Sequence, residues 1–178
     1  MGFIRLNKKY QNSLSKSFNC GNTYINDFLC NDEALDSSIG MTYIYLNYNM
    51  SQIIAYFNIG TGALIDNTNE YDNRLGGSAH LNYFALDKRY HGIKLNAEKE
   101  LADFNLKISD LMLVKCISLI LKIKKRHIGF SFITLYSTKQ GYSLYKRNGF
   151  EDLDTDMQLP ISYGENDCIP MYMPIIDL

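Results

Sequence analysis

The chain has 178 residues, enough for an ordinary domain to bury a core without disulfides or metals. Hydrophobic residues make up 46% and charged residues 21%, and the formal net charge is −1. These values fit a globular protein and exclude a global basic field for nucleic acid or anionic membrane.

The N-terminus lacks an apolar leader segment, and the longest apolar run, near Leu111–Ile123, is interrupted by Lys115 and Lys122. No membrane span is expected, and the four cysteines read as reduced thiols of a cytoplasmic protein. None forms a CxxC pair and no histidine stands at zinc spacing, so no metal site is expected.

Phe3–Leu6 reads as a first strand. Asn22 is a plausible N-cap, Ile25, Phe28 and Leu29 recur at helical spacing, and Gly40 closes that helix. Met41–Tyr48 and Ile53–Ile59 form a hairpin pattern across the polar turn Asn49–Gln52. Asp66–Ser78, with Gly76-Gly77, reads as a surface loop, and His80–Asp87 as the next strand. A second loop from Lys88 to about Lys107 leads into a long, mostly buried helix, Ile108–Arg126. Phe130–Tyr136 is a strand. Ser137–Gln140 fits a capping box for a helix that ends at Asn148-Gly149. Phe150–Leu153 and Cys168–Ile176 complete the pattern, the latter interrupted by Pro170 and Pro174. The order β-α-β-β-β-α-β-α-β-β gives an α+β protein built on one central sheet.

Two segments carry chemistry. Phe84-Ala-Leu-Asp-Lys-Arg89-Tyr-His-Gly92 runs from a buried strand into a turn, where backbone N–H groups and a following helix N-terminus are suited to phosphate. Gly141-Tyr-Ser-Leu144-Tyr145-Lys-Arg-Asn-Gly149-Phe150 puts an aromatic pair around a helix end. The second segment resembles the F-Y-x-x-x-G-F helix of the GNAT acetyltransferases, with Leu144 in place of the first Phe. The match covers residues 80–153 well. Phe18-Asn-Cys20-Gly21 followed by Ile25-Asn26-Asp-Phe28-Leu29 is similar to a GNAT subgroup that includes toxins acetylating aminoacyl-tRNA.

The resemblance implies a single GNAT-like domain over 1–178, with a mixed sheet of about six or seven strands flanked by about four helices and an acyl-CoA core at about 80–153. It implies an N-acetyltransferase that moves an acetyl group from acetyl-CoA to a primary amine by direct attack. Phe84 and Leu86 would offer backbone groups to the acetyl and pantetheine part. Arg89 and Gly92 would begin the pyrophosphate loop, and Tyr145 would protonate the departing thiolate. Lys94 stands where the family has a second small residue. Leu95–Asn105 then reads as an insertion, after which Ser109 and Asp110 resume the loop-to-helix pattern and Lys94 or Lys107 adds charge. His80, four residues before Phe84, is a candidate base, and Asn82 shares its face and would orient the acceptor. The basic run Lys122–His127 is explained by a helix C-terminus or by contact with tRNA. Alternative readings are a toxin-like tRNA acetyltransferase with an antitoxin partner and a non-catalytic acyl-CoA-binding module. Homodimerisation is left open.

Overall fold

A computed structural model describes residues 2–68, 73–95, 106–160 and 167–176. It divides into two compact units, Met1–Asn58 with Tyr83–Leu119, and Ile59–Asn82 with Ile120–Leu178.

The strands are β1 (Ile4–Arg5), β2 (Met41–Leu46), β3 (Ile53–Asp66), β4 (Asn73–Leu86), β5 (Phe132–Ser137), β6 (Glu151–Asp152), β7 (Met157–Gln158) and β8 (Ile169–Pro174). The helices are α1 (Lys8–Leu14), α2 (Thr23–Cys30), α3 (Ile108–Arg126) and α4 (Tyr142–Arg147). The strands order as β1-β2-β3-β4-β5-β8-β6, and β7 pairs with β3. β4 and β5 are parallel, and β8 is antiparallel to β5 and β6. Among the described residues this is an α+β architecture with a mixed sheet of eight strands and four α-helices. No helix among the described residues is long and apolar enough to cross a membrane.

In the first unit, α1 is an element that the sequence pattern leaves unassigned. Asn7 caps it by accepting from the Tyr10 N–H at 3.0 Å. Buried Gln11 then donates from its amide to the carbonyls of Leu29 and Asn31, supplying donors at the C-terminal end of α2. Asn22 caps α2 as expected, accepting from Ile25 N–H. That helix stops at Cys30, and a 3-10 turn at Asp32–Leu35 occupies part of the segment expected to continue it. Phe18, Phe28, Leu29, Ile44, Ile53 and Tyr56 form the core around these helices. Across the sheet, Phe84 and Leu86 pack with Met112, Ile108 and Leu111 of α3.

The second unit corrects the reading of Asp66–Ser78 as a loop. β3 runs to Asp66 and β4 begins at Asn73, so most of the segment is a continuation of two long strands. Gly76 signals close approach here: a Cβ on it would lie 2.9 Å from the Phe132 ring of β5. The capping box at Ser137–Gln140 does not form either. Ser137 belongs to β5 and its hydroxyl donates to the Thr138 carbonyl. Thr138 Oγ1 instead accepts from Gly141 N–H, and α4 starts only at Tyr142. The strand at its end dictates this, because Ser137 pairs with Ile169 of β8.

Phe57 is fully buried, edge-on to Phe3 at 4.7 Å and stacked on Tyr43 at 5.0 Å. Phe57→Ala is expected to lower unfolding stability by about 3–5 kcal/mol, the cost of a buried aromatic lost to a cavity. Urea denaturation followed by far-UV circular dichroism measures it as a lower midpoint at unchanged slope.

Candidate active site

In the first unit the turn after β4 is organised by Asp87, whose side chain is 1% exposed. Its Oδ1 accepts from the N–H and Nε of Arg89, at 3.0 and 2.7 Å. Its Oδ2 accepts from Arg89 Nη2 at 2.9 Å and from Asn19 N–H at 3.0 Å. Burial alone would raise the carboxyl pKa, but these bonds outweigh it and hold it below the usual carboxylate range. Asn19 also receives the Lys88 N–H on its carbonyl, and its side-chain oxygen accepts from Gly21 N–H and the Asn26 amide. Asn26 in turn accepts from Cys20 N–H. Phe18–Asn26 is therefore a docking segment for the turn that follows β4.

This network places the expected phosphate residues. The Arg89 guanidinium is forked on Asp87, although its side chain remains 40% exposed. Gly92 adopts φ 72°, a left-handed backbone that suits glycine and turns the chain after the 3-10 turn Lys88–Tyr90. His91 Nε2 donates to the Leu86 carbonyl at 2.8 Å, a lock that the sequence reading did not assign.

Lys94 and Lys107 face each other in an antiparallel bridge. Leu95 N–H donates to the Leu106 carbonyl, and Ile108 N–H to that of Ile93. The expected insertion Leu95–Asn105 therefore leaves and re-enters through a closed neck; residues 96–105 lie outside the described ones. At the start of α3, Ser109 is half-buried. Buried Asp110 turns its carboxylate back to accept from Lys107 N–H at 2.9 Å, capping the helix.

In the second unit, Tyr145 lies on α4, 7% exposed, with its ring edge-on to Phe150 at 5.5 Å. A Cβ on Gly141 would come within 3.2 Å of that ring. His80 and Asn82 are half-buried on β4, spaced two apart on one face. His80 Nδ1 lies 2.9 Å from Thr134 Oγ1, and its ring meets Tyr136 edge-on. Burial lowers its pKa to about 4, so the imidazole is neutral at pH 7. A neutral imidazole can accept a proton, and a phenol is a neutral donor.

No family model and no curated protein matches the chain. Solved structures do. A Tyr-to-Phe mutant of the toxin AtaT, bound to the C-terminus of the antitoxin AtaR and acetyl-CoA, aligns at TM-score 0.63 and 16% identity, over 97% of this chain and 91% of that one. A Tyr-to-Phe mutant of KacT aligns at 0.63 and 14%, over 97% and 93%. The NatB acetyltransferase complex bound to CoA aligns at 0.59 and 12%, over 99% and 100%.

The fold is that of the GNAT acetyltransferases. The Leu144–Phe150 segment begins on α4, the helix that follows β5, and runs past its end. Sequence reading missed Asp87, His91 and Thr134. Asp87 stood inside the quoted motif, two residues before Arg89, and that spacing was the one local signal.

Both titrating groups make separable pH predictions. Unfolded, His80 titrates near 6.5, and folded near 4, so between those values the unfolded chain binds more protons. Stability is expected to fall as pH drops from about 6.5 to about 4, and His80→Gln to flatten that limb. Asp87 acts in the same direction over a lower window: its stabilisation is present above the ordinary carboxylate range and is lost as pH falls through its lowered pKa. Asp87→Asn is expected to cost about 1–3 kcal/mol at pH 7, from weakened charge-assisted bonds. Urea midpoints of the three proteins from pH 3 to 8 measure both effects.

Proposed function

We propose that the protein is an acetyl-CoA-dependent N-acetyltransferase acting on a primary amine, and that residues 1–178 work as one catalytic domain. The observation that carries this reading is Tyr145, a phenol held by packing on the helix after β5, within a fold shared with AtaT bound to acetyl-CoA and with the NatB acetyltransferase complex.

The cosubstrate would lie along the end of β4. Phe84 and Leu86 would meet its acetyl and pantetheine part, and the Arg89–Gly92 turn with the Ser109–Asp110 helix start would meet its diphosphate through backbone N–H groups. The Asp110 carboxylate serves the helix, so its part in binding would be to hold those amides. Arg89 would act the same way, by fixing the turn through Asp87. Positive charge would come from Lys94 and Lys107. Like charges directly opposite on paired strands are unfavourable, and a diphosphate between them would relieve that repulsion.

The amine would be oriented by Asn82 and His80. As its nitrogen forms a bond to the thioester carbonyl carbon, it becomes acidic and gives a proton to His80. The C–S bond then breaks, and Tyr145 donates its proton to the sulfur, releasing CoA as the thiol. Tyrosinate regains a proton from solvent. A weakly basic, buried imidazole suits this order, because it accepts only after the nitrogen has begun to carry positive charge.

A second reading names the acceptor as aminoacyl-tRNA, with an antitoxin as partner and a cytoplasmic setting. AtaT, which aligns at TM-score 0.60, was solved with acetyl-methionyl-tRNA. The Phe18–Gly21 and Ile25–Leu29 segments resemble the toxin subgroup, and Asn19 within the first is bonded to the turn beside the proposed cosubstrate site.

Saturating acetyl-CoA is expected to raise the melting temperature, and Lys94→Ala with Lys107→Ala to weaken its binding about tenfold or more in calorimetry. Unchanged affinity in the double variant would show that the phosphates are held elsewhere. Tyr145→Phe is expected to lower kcat by about 10²–10⁴-fold while leaving acetyl-CoA binding intact. Thiol release against a panel of small amines, peptides and charged tRNA reads this. A variant with full kcat would reduce Tyr145 to a packing residue.

A further inference from the structure

Behind His80 stands a buried pair of hydroxyls. Thr134 Oγ1 lies 2.9 Å from His80 Nδ1 and 3.0 Å from Ser78 Oγ. Thr134 is fully buried and Ser78 is 4% exposed. The sheet imposes this contact. In the parallel pairing of β4 with β5, His80 is the partner of Thr134 and Ser78 that of Phe132, so residues 78 and 80 flank Thr134 on one face.

The neighbouring strand makes room for the contact. A Cβ on Gly62 of β3 would come 2.7 Å from Ser78 Oγ and 3.3 Å from His80 Cβ. Any other residue at 62 would push the serine hydroxyl off Thr134 or tilt the imidazole. Three residues of three strands, Gly62, Ser78 and Thr134, thus shape the surroundings of the His80 side chain, and Tyr136 packs edge-on against the same ring.

A threonine hydroxyl has one hydrogen and two lone pairs. Set between an imidazole nitrogen and a serine oxygen, it can accept from one and donate to the other. We propose that Thr134, backed by Ser78 and given room by Gly62, is a positioning residue that holds His80 as the Nδ1–H tautomer and so presents Nε2 as the proton acceptor. The inference rests on the base role proposed for His80. In this arrangement Nδ1–H donates to Thr134 Oγ1, and the Thr134 hydroxyl donates to Ser78 Oγ. When Nε2 takes the proton of the attacking nitrogen, the ring becomes an imidazolium whose Nδ1–H still donates to Thr134. The proton later leaves from Nε2 to solvent, and the hydroxyls exchange none. With the direction reversed, Thr134 would donate to Nδ1, Nε2 would carry the hydrogen, and the ring would show the amine a donor instead of an acceptor.

Long-range ¹⁵N–¹H correlation NMR on the full chain reads the tautomer directly. Three histidines are present, and His80→Gln identifies the His80 signals by their loss. The wild type is expected to show a hydrogen on Nδ1, Thr134→Val to move it partly or wholly to Nε2, and Thr134→Ser to restore it. A wild-type ring protonated on Nε2, or a tautomer unmoved in Thr134→Val, would overturn the assignment. Acetyl-CoA turnover with the best acceptor of the amine, peptide and charged-tRNA panel supplies the second arm. Thr134→Val is expected to lower kcat on the order of 10-fold at unchanged KM for acetyl-CoA, with recovery in Thr134→Ser, the scale on which an orienting hydrogen bond behind a histidine acts. Thr134→Val and Thr134→Ser equally impaired would mark the site as packing alone. Full activity of His80→Gln would instead remove the base role itself, whatever the tautomer.

Discussion

The buried carboxylate of Asp87 is the constraint on which the first unit depends. A charge with 1% exposure is tolerable only when it is fully hydrogen-bonded, and this one takes four N–H donors from Asn19 and Arg89. Its own N–H is spent on the Ile54 carbonyl of β3. The arm that leads into α2, the end of β4 and the turn beyond it are thereby tied at one residue. Arg89 is partly exposed, so most of the energetic consequence lies in satisfying Asp87, not in a surface ion pair.

That anchoring determines what the turn can offer a ligand. The Arg89 guanidinium is folded back on Asp87 and so braces the turn from within. The Lys88–Tyr90 3-10 turn follows the brace, and Lys94 and Lys107 pair beyond it. Leu95 N–H donates to the Leu106 carbonyl and Ile108 N–H to the Ile93 carbonyl, so α3 begins from a fixed neck.

Much of this was legible in the sequence because it is local. Asn22 announces a cap, the apolar spacing of Ile108–Arg126 announces a helix, and Asn148-Gly149 announces its successor's end. The hairpin Met41–Leu46 with Ile53 onwards follows from alternation and a polar turn. Local signals misled where a strand overrode them. Gly76-Gly77 looks like a loop but sits inside β4, because the Phe132 ring of β5 needs the space. Ser137 looks like a helix cap but belongs to β5, because its backbone pairs with β8. The seven-residue α1 was missed for the opposite reason. It is stabilised by Gln11 reaching the end of α2, a contact with no local trace.

The sequence by itself determined the class of fold, the motif around Tyr145 and the composition of the turn after β4. Each is carried by residues within about ten positions of one another, where spacing alone sets geometry. Tertiary structure alone decided which groups stand around His80 and Asp87. His80 meets Thr134, 54 residues away, through the register of two parallel strands, and Asp87 meets Asn19, 68 residues away, through docking of the N-terminal arm. A shift of one residue in that register would turn Thr134 to the other face, and no pattern within β5 records which residue of β4 it will oppose.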